Sequence, residues 1–105
     1  MKKDELIAGV LIEKSHALTL EEFCLATKAN KDLVIEMVEY QLLQPEGENP
    51  TQWRFDSISL HRGRIASSFY RDLEVNMQGI ALALDLLDRI DKIQREINIL
   101  QKNRM

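Results

Sequence analysis

The chain has 105 residues, 45% hydrophobic and 30% charged, enough for one compact domain and too little for two. Lys and Arg number 14 against 17 Asp and Glu, and the resulting net charge of -3 disfavours a strongly basic nucleic-acid binder. A single cysteine, Cys24, and two histidines, His16 and His61, exclude a disulfide scaffold and a zinc finger, so neither a metal nor a cofactor is expected.

Residues 1–17 read as an N-terminal extension. Lys2 and Lys3 are followed at once by Asp4 and Glu5, and the apolar run from Leu6 to Ile12 is too short for a signal peptide. No apolar run approaches the roughly 20 residues that span a bilayer. A reduced, cytoplasmic compartment is the simplest reading. Ile7 to Glu13 fits either a short strand or a frayed helix.

Thr19 and Glu22 form a Thr-x-x-Glu capping box, which starts a short helix with Phe23 and Ala26 on its apolar face. That helix ends near Lys28–Asn30. Asn30 caps a second helix with a buried stripe of Leu33, Val34, Met37, Val38 and Gln41, closed by Leu42 and Leu43 before Pro45. Asp32, Glu36 and Glu39 lie on its other side. Two such helices with a short turn between them make a helix-turn-helix.

The stretch from Gln44 to Thr51 holds both prolines and Gly47, and reads as a loop. Gln52 to Asp56 then alternates large apolar and polar residues, as the returning strand of a small wing does. Trp53 and Phe55 are read as packing groups rather than a nucleobase platform. Asp56 or Ser57 caps a third helix, over about Ser59 to Leu73. Its apolar side is Ile58, Ile65, Ala66, Phe69 and Leu73, which leaves Tyr70 partly exposed. Arg62, Arg64 and Arg71 form a basic side.

Asn76 caps a last helix that runs nearly to the C-terminus. Ile80, Leu84 and Leu87 form one apolar stripe in its first half. Ala83, Leu86, Ile90, Ile93, Ile97 and Leu100 form a second, with spacings that alternate between three and four, which is a heptad seam. Beyond about residue 89 the helix is read as apolar on one side only, so residues 89–105 are read as a projecting helix. Leu86, Ile90, Ile93, Ile97 and Leu100 are the expected contacts of a homodimer, parallel or antiparallel. The alternative is that the helix folds back on its own domain.

This order of elements resembles the MerR-like winged-helix proteins and, within them, the chaperone modulator CbpM family. The resemblance rests on Glu22-Phe23-Cys24, Leu43-x-Pro45, Trp53-Arg54-Phe55-Asp56 and Asn76-x-x-Gly79-Ile80-Ala81-x-Ala83-Leu84. Leu86-Leu87-Asp88-x-Ile90 and Arg95-Glu96-x-Asn98 continue it, so that it covers about Leu18 to Leu100. Met77 and Gln78 depart from the aromatic and proline expected before Gly79. The implied fold is mainly α: a MerR-like winged helix-turn-helix over residues 18–88 with a small wing, and a long coiled-coil-like C-terminal helix. The implied role is non-enzymatic. Such modulators bind the J-domain of CbpA, a DnaJ-like co-chaperone, and inhibit both its co-chaperone activity and its DNA binding.

The charge pattern agrees in sign. J-domains present a basic surface to their Hsp70 partner, so a competitor should offer carboxylates. Residues 1–60 carry 11 acidic and 6 basic side chains, whereas residues 61–105 carry 6 and 8. Asp32, Glu36 and Glu39 are the candidate J-domain contacts, with Tyr70 and Asp85 on the later helices as further candidates. The other reading suggested by a MerR-like fold is a DNA-binding transcription regulator. The second helix opposes it, because Lys31 there stands among three carboxylates that a phosphate-lined groove would repel. An enzyme is a distant third reading: no glycine-rich phosphate loop is present, and Cys24 is read as a structural thiol.

Overall fold

The structure, a computed structural model, describes residues 5–7, 10–12 and 17–104. His16 and Glu13 lie outside them. Near the N-terminus, β1 (Glu5–Ile7) and β2 (Val10–Ile12) pair antiparallel, with Leu6 opposite Leu11. The described residues of this apolar start, 5–7 and 10–12, are therefore extended rather than helical.

The first helix, α1, spans Leu20–Thr27 and begins with the capping box. The Glu22 amide donates to Thr19 Oγ1 at 3.2 Å, and the Thr19 amide donates to Glu22 Oε1 at 2.9 Å. It ends where Lys28 turns left-handed (φ 60°) and the Ala29 amide closes on the Cys24 carbonyl at 3.2 Å. Two residues later Asn30 Oδ1 accepts from the Leu33 amide at 2.8 Å and opens α2, Lys31–Glu39.

Helix α2 stops earlier than its apolar pattern predicts. Gln41 adopts φ 64°, its amide donates to the Val38 carbonyl, and the Leu42 amide reaches back to the Met37 carbonyl at 2.9 Å. This double closure ends a helix with a left-handed residue. Gln41 is thus exposed beyond the helix rather than part of its buried stripe, and Leu42 and Leu43 enter the core from irregular backbone. Glutamine carries no left-handed preference, so nothing local marks the stop.

The expected wing is reduced to single bridges. Glu46 and Arg54 exchange backbone hydrogen bonds of 3.1 and 2.9 Å, and Leu18 and Phe55 exchange bonds of 2.9 and 2.8 Å. Between the bridge partners Glu46 and Arg54 the chain makes a 3-10 turn at Pro50–Gln52. Gly47 sits at φ +112°, where an added Cβ would lie 2.4 Å from the Gln52 carbonyl oxygen, so the loop tip requires glycine. The expected in–out alternation holds: Trp53 and Phe55 are buried while Arg54 and Asp56 are exposed. Phe55 stacks on Phe23 with ring centroids 4.1 Å apart, and Trp53 meets Phe55 edge-on at 6.0 Å.

Asp56 caps α3 (Ser57–Asp72) by accepting from the Ser59 amide at 2.9 Å. Its buried face differs from the expected stripe. Ile58 and Leu73 are 67% and 63% exposed, whereas Ser59, Leu60, Gly63, Ala66 and Ser67 are buried. Ser59, Gly63 and Ser67 recur every four residues and so line one side of the helix. Their small size lets α1 come close: a Cβ on Gly63 would lie 2.5 Å from the Phe23 ring. Hydropathy counts these residues as polar or neutral, which is why an apolar stripe misplaces the contact.

After a turn in which the Leu73 and Val75 amides both reach the Phe69 carbonyl, Asn76 Oδ1 accepts from the Gly79 amide at 2.8 Å and starts α4, Met77–Asn103. Its first half is buried through Met77, Ile80 and Leu84. Leu87, expected in the same stripe, is exposed because the domain ends beneath it. Every residue from Asp85 to Arg104 is exposed. Helix α3 packs against both α1 and α4, and α1 packs against α2.

Candidate functional site

Helix α2 occupies the second position of the helix-turn-helix, where a DNA reader carries its base contacts. Here its outer side is acidic. Asp32 and Glu39 are exposed and Glu36 is half-buried. Asp32, Glu36 and Tyr40 follow one another at intervals of four, so two carboxylates and a phenol rise along one strip. The strip ends on α4, where Gln78 Nε2 donates to the Tyr40 hydroxyl at 3.4 Å. This corner between α2 and α4 was not legible from sequence, because the two residues are far apart along the chain.

The other candidates stand elsewhere. Tyr70 lies near the end of α3, 47% exposed. Asp85 lies on α4 and accepts from Arg89 Nε at 3.1 Å. Neither hydrogen-bonds to the α2 carboxylates among the described residues. Asp32, Glu36 and Glu39 share the outer side of α2, and among the described residues no ion pair joins Asp85 to them.

Arg54, Arg62 and Arg71 are engaged within the fold. Arg62 donates from Nε to the Leu42 carbonyl at 2.9 Å and from Nη1 to Asp88. Arg71 donates to Ser67 Oγ at 3.0 Å and to the Lys28 carbonyl at 3.3 Å. Arg54 Nη1 donates to the Trp53 carbonyl at 2.7 Å. Around Arg62 the segment after α2, the start of α3 and Asp88 line an open groove of about 380 Å³, with Leu42 and Ile58 among its apolar lining. Its guanidinium is satisfied by groups of the same groove.

On α4 the seam residues Leu86, Ile90, Ile93, Ile97 and Leu100 are all exposed, Ile90 at 59% and Leu100 at 63%. They lie on the side of the helix away from Ile80 and Leu84, so the arm carries an apolar face that its own domain does not cover. Asp85, Asp91, Arg89 and Arg95 pair along the helix at intervals of four, which leaves the seam free of charge.

Cys24 is half-buried on α1, and burial followed by the nearby Glu21 carboxylate raises its thiol above the ordinary 9.0, despite an opposing pull from Lys31. A thiol shifted that way stays protonated near neutrality and is a poor nucleophile. Among the described residues no cluster of His, Cys, Asp and Glu could hold a metal ion, and no helix is long and apolar enough to cross a membrane.

The sequence matches the family described as MerR HTH family regulatory protein over residues 18–102. It is 47% identical over 98 residues to the chaperone modulatory protein CbpM of Coxiella burnetii (strain Dugway 5J108-111), covering 93% of this chain and 92% of that one. It is 31% identical over 85 residues to the chaperone modulatory protein CbpM of Pseudomonas putida (strain W619), covering 81% and 84%. The CbpM of Pseudomonas entomophila (strain L48) matches to the same extent, at 31% identity. The helix-turn-helix, the long C-terminal helix and these matches over nearly the whole length agree: the chain belongs to the MerR-type helix-turn-helix family and, within it, to the CbpM chaperone modulatory proteins.

Proposed function

We propose that this protein is a chaperone modulator that binds the J-domain of a CbpA-type, DnaJ-like co-chaperone and keeps that J-domain from its Hsp70. The observation that carries the reading is the acidic outer side of α2, where Asp32, Glu36 and Glu39 stand in place of a basic recognition surface. A J-domain that offers basic groups to Hsp70 would meet complementary charge there, which favours fast and selective docking. Tyr70 and Asp85 offer a secondary contact on α3 and α4. By occupying the J-domain, the protein would also oppose the co-chaperone's own DNA binding. It acts by binding alone, without catalysis or cofactor, in the cytoplasm.

The acting species is a homodimer joined through Leu86, Ile90, Ile93, Ile97 and Leu100. Full burial of each such side chain stabilises by roughly 1.5–3 kcal/mol, which over two chains is of the order needed to offset association costs.

Titration of purified J-domain into the protein tests the reading, and no binding at about 50 µM would sink it. The second reading, a DNA-binding regulator, is favoured by the family match at residues 18–102. It predicts tight gel-shifts with a steep salt dependence. The carboxylates of α2 and the internal engagement of Arg54, Arg62 and Arg71 weigh against it.

A further inference from the structure

We infer that Arg62 is a positioning residue. By clasping Asp88 it holds α4 at a fixed angle to the helix-turn-helix, and so sets how α2 and α4 are presented together to one partner. The consequence for binding rests on the J-domain reading; the clasp itself does not.

Packing alone leaves the direction of α4 open. The last buried residue of the helix is Leu84, and every residue from Asp85 to Arg104 is exposed. Beyond Asp88, among the described residues, the side-chain bonds of α4 stay within the helix: Arg89 to Asp85, Arg95 to Asp91 and Gln94 to Asn98. Asp88 is therefore the outermost point at which a bond from the domain holds α4. From there the helix runs about 24 Å to Arg104, so a small change of angle at Asp88 becomes a large displacement at the tip.

The hold is made by one side chain across a gap. The segment after α2, the start of α3 and Asp88 line the groove of about 380 Å³ instead of closing on one another. Arg62 bridges it, with Nε donating to the Leu42 carbonyl and Nη1 to both Asp88 oxygens, each at 2.9 Å. The Leu42 carbonyl is available because Gln41, at φ 64°, has already taken the chain out of the helix. A planar guanidinium can serve both acceptors at once, whereas a lysine ammonium is a single point charge.

The end of α2 is thus fixed to α4 twice. Tyr40 meets Gln78 directly, and Leu42 is tied to Asp88 through Arg62, about 15 Å further along the helix. Asp85, the secondary contact proposed on α4, stands three residues before Asp88. The clasp therefore sets its place relative to Glu36 and Glu39. The side chain of Asp88 is 60% exposed, so water and salt compete for that end of the clasp. The hold is firm on the chain leaving α2 and releasable on α4.

Spin-label distances in the full chain test the clasp. The labels go at Leu25→Cys on α1 and Arg95→Cys on α4, in a Cys24→Ser background diluted with unlabelled chain. Both positions are exposed and lie outside the clasp. The unsubstituted clasp should give a narrow distance distribution. Asp88→Asn and Arg62→Met should broaden it, Asp88→Glu should keep it narrow, and helical circular dichroism should be the same in all three. Narrow distributions in both Asp88→Asn and Arg62→Met would overturn the clasp. J-domain titration then separates positioning from charge. Arg62→Met removes a positive charge, so charge alone predicts tighter binding to a basic partner. Positioning predicts binding about three- to tenfold weaker in Arg62→Met and Asp88→Asn alike, with recovery in Asp88→Glu. Tighter binding by Arg62→Met, or a loss confined to Asp88→Asn, refutes the positioning role. If the unsubstituted protein binds no J-domain, the function proposed above falls and the consequence for binding falls with it, while the distance distributions still decide the clasp.

Discussion

The guanidinium of Arg62 grips the carboxylate of Asp88, with Nη1 2.9 Å from each of its two oxygens. Through Nε the same side chain holds the Leu42 carbonyl at 2.9 Å. One arginine on α3 thus ties the chain leaving α2 to the point on α4 where the helix leaves the domain. Arg62→Ala should cost about 1–3 kcal/mol, because the partly buried Leu42 carbonyl loses its donor. Asp88→Ala should cost less than about 1 kcal/mol, since the carboxylate is well exposed and Arg62 keeps its bond to Leu42. Urea denaturation of the two variants separates the cases.

Gly63→Ala is expected to destabilise although alanine is the better helix former. The new methyl would meet the Phe23 ring at 2.5 and 3.0 Å and the Thr27 methyl at 3.2 Å. Phe23 is fully buried and stacked on Phe55, so it cannot swing away. Overpacking of this kind costs about 1–3 kcal/mol, against a propensity gain of up to about 1. A net loss in thermal or urea stability is the outcome to look for.

Ile93→Lys should yield a monomer by light scattering. The residue is exposed in the single chain, so the domain should keep its helical circular dichroism. The apparent Tm of the unsubstituted protein should rise with its concentration, and that dependence should vanish in the variant.

Reversing charge on the acidic outer side of α2 with Glu36→Lys and Glu39→Lys should weaken J-domain binding about tenfold, or ~1.4 kcal/mol. The association rate and its salt dependence should change most. Unaltered binding would move the contact to the Tyr70 and Asp85 side.

Cys24 has its thiol raised above 9.0 by burial, so the folded state holds that proton more tightly than the unfolded chain. Below the unfolded value both states are protonated and the shift has no effect. As pH rises through 9.0 and the folded value, stability falls. Cys24→Ser should flatten this alkaline decline in Tm, and the unsubstituted thiol should react slowly with a maleimide near pH 7.

Helix starts were readable without the fold because each is a local transaction. Thr19 with Glu22, Asn30, Asp56 and Asn76 satisfy amides three residues away, and that spacing is written in the chain. The seam from Leu86 to Leu100 and the acidic strip on α2 were equally plain, since one turn of helix sets which side chains share a face. The end of α2, the buried side of α3 and the corner at Tyr40 and Gln78 required the folded chain. Gln41 turns left-handed where Leu42 and Leu43 enter the core, and Ser59, Gly63 and Ser67 are buried for their small size rather than their hydropathy. Close packing depends on volume and on partners far away in the chain, and neither is visible to a pattern counted along one segment.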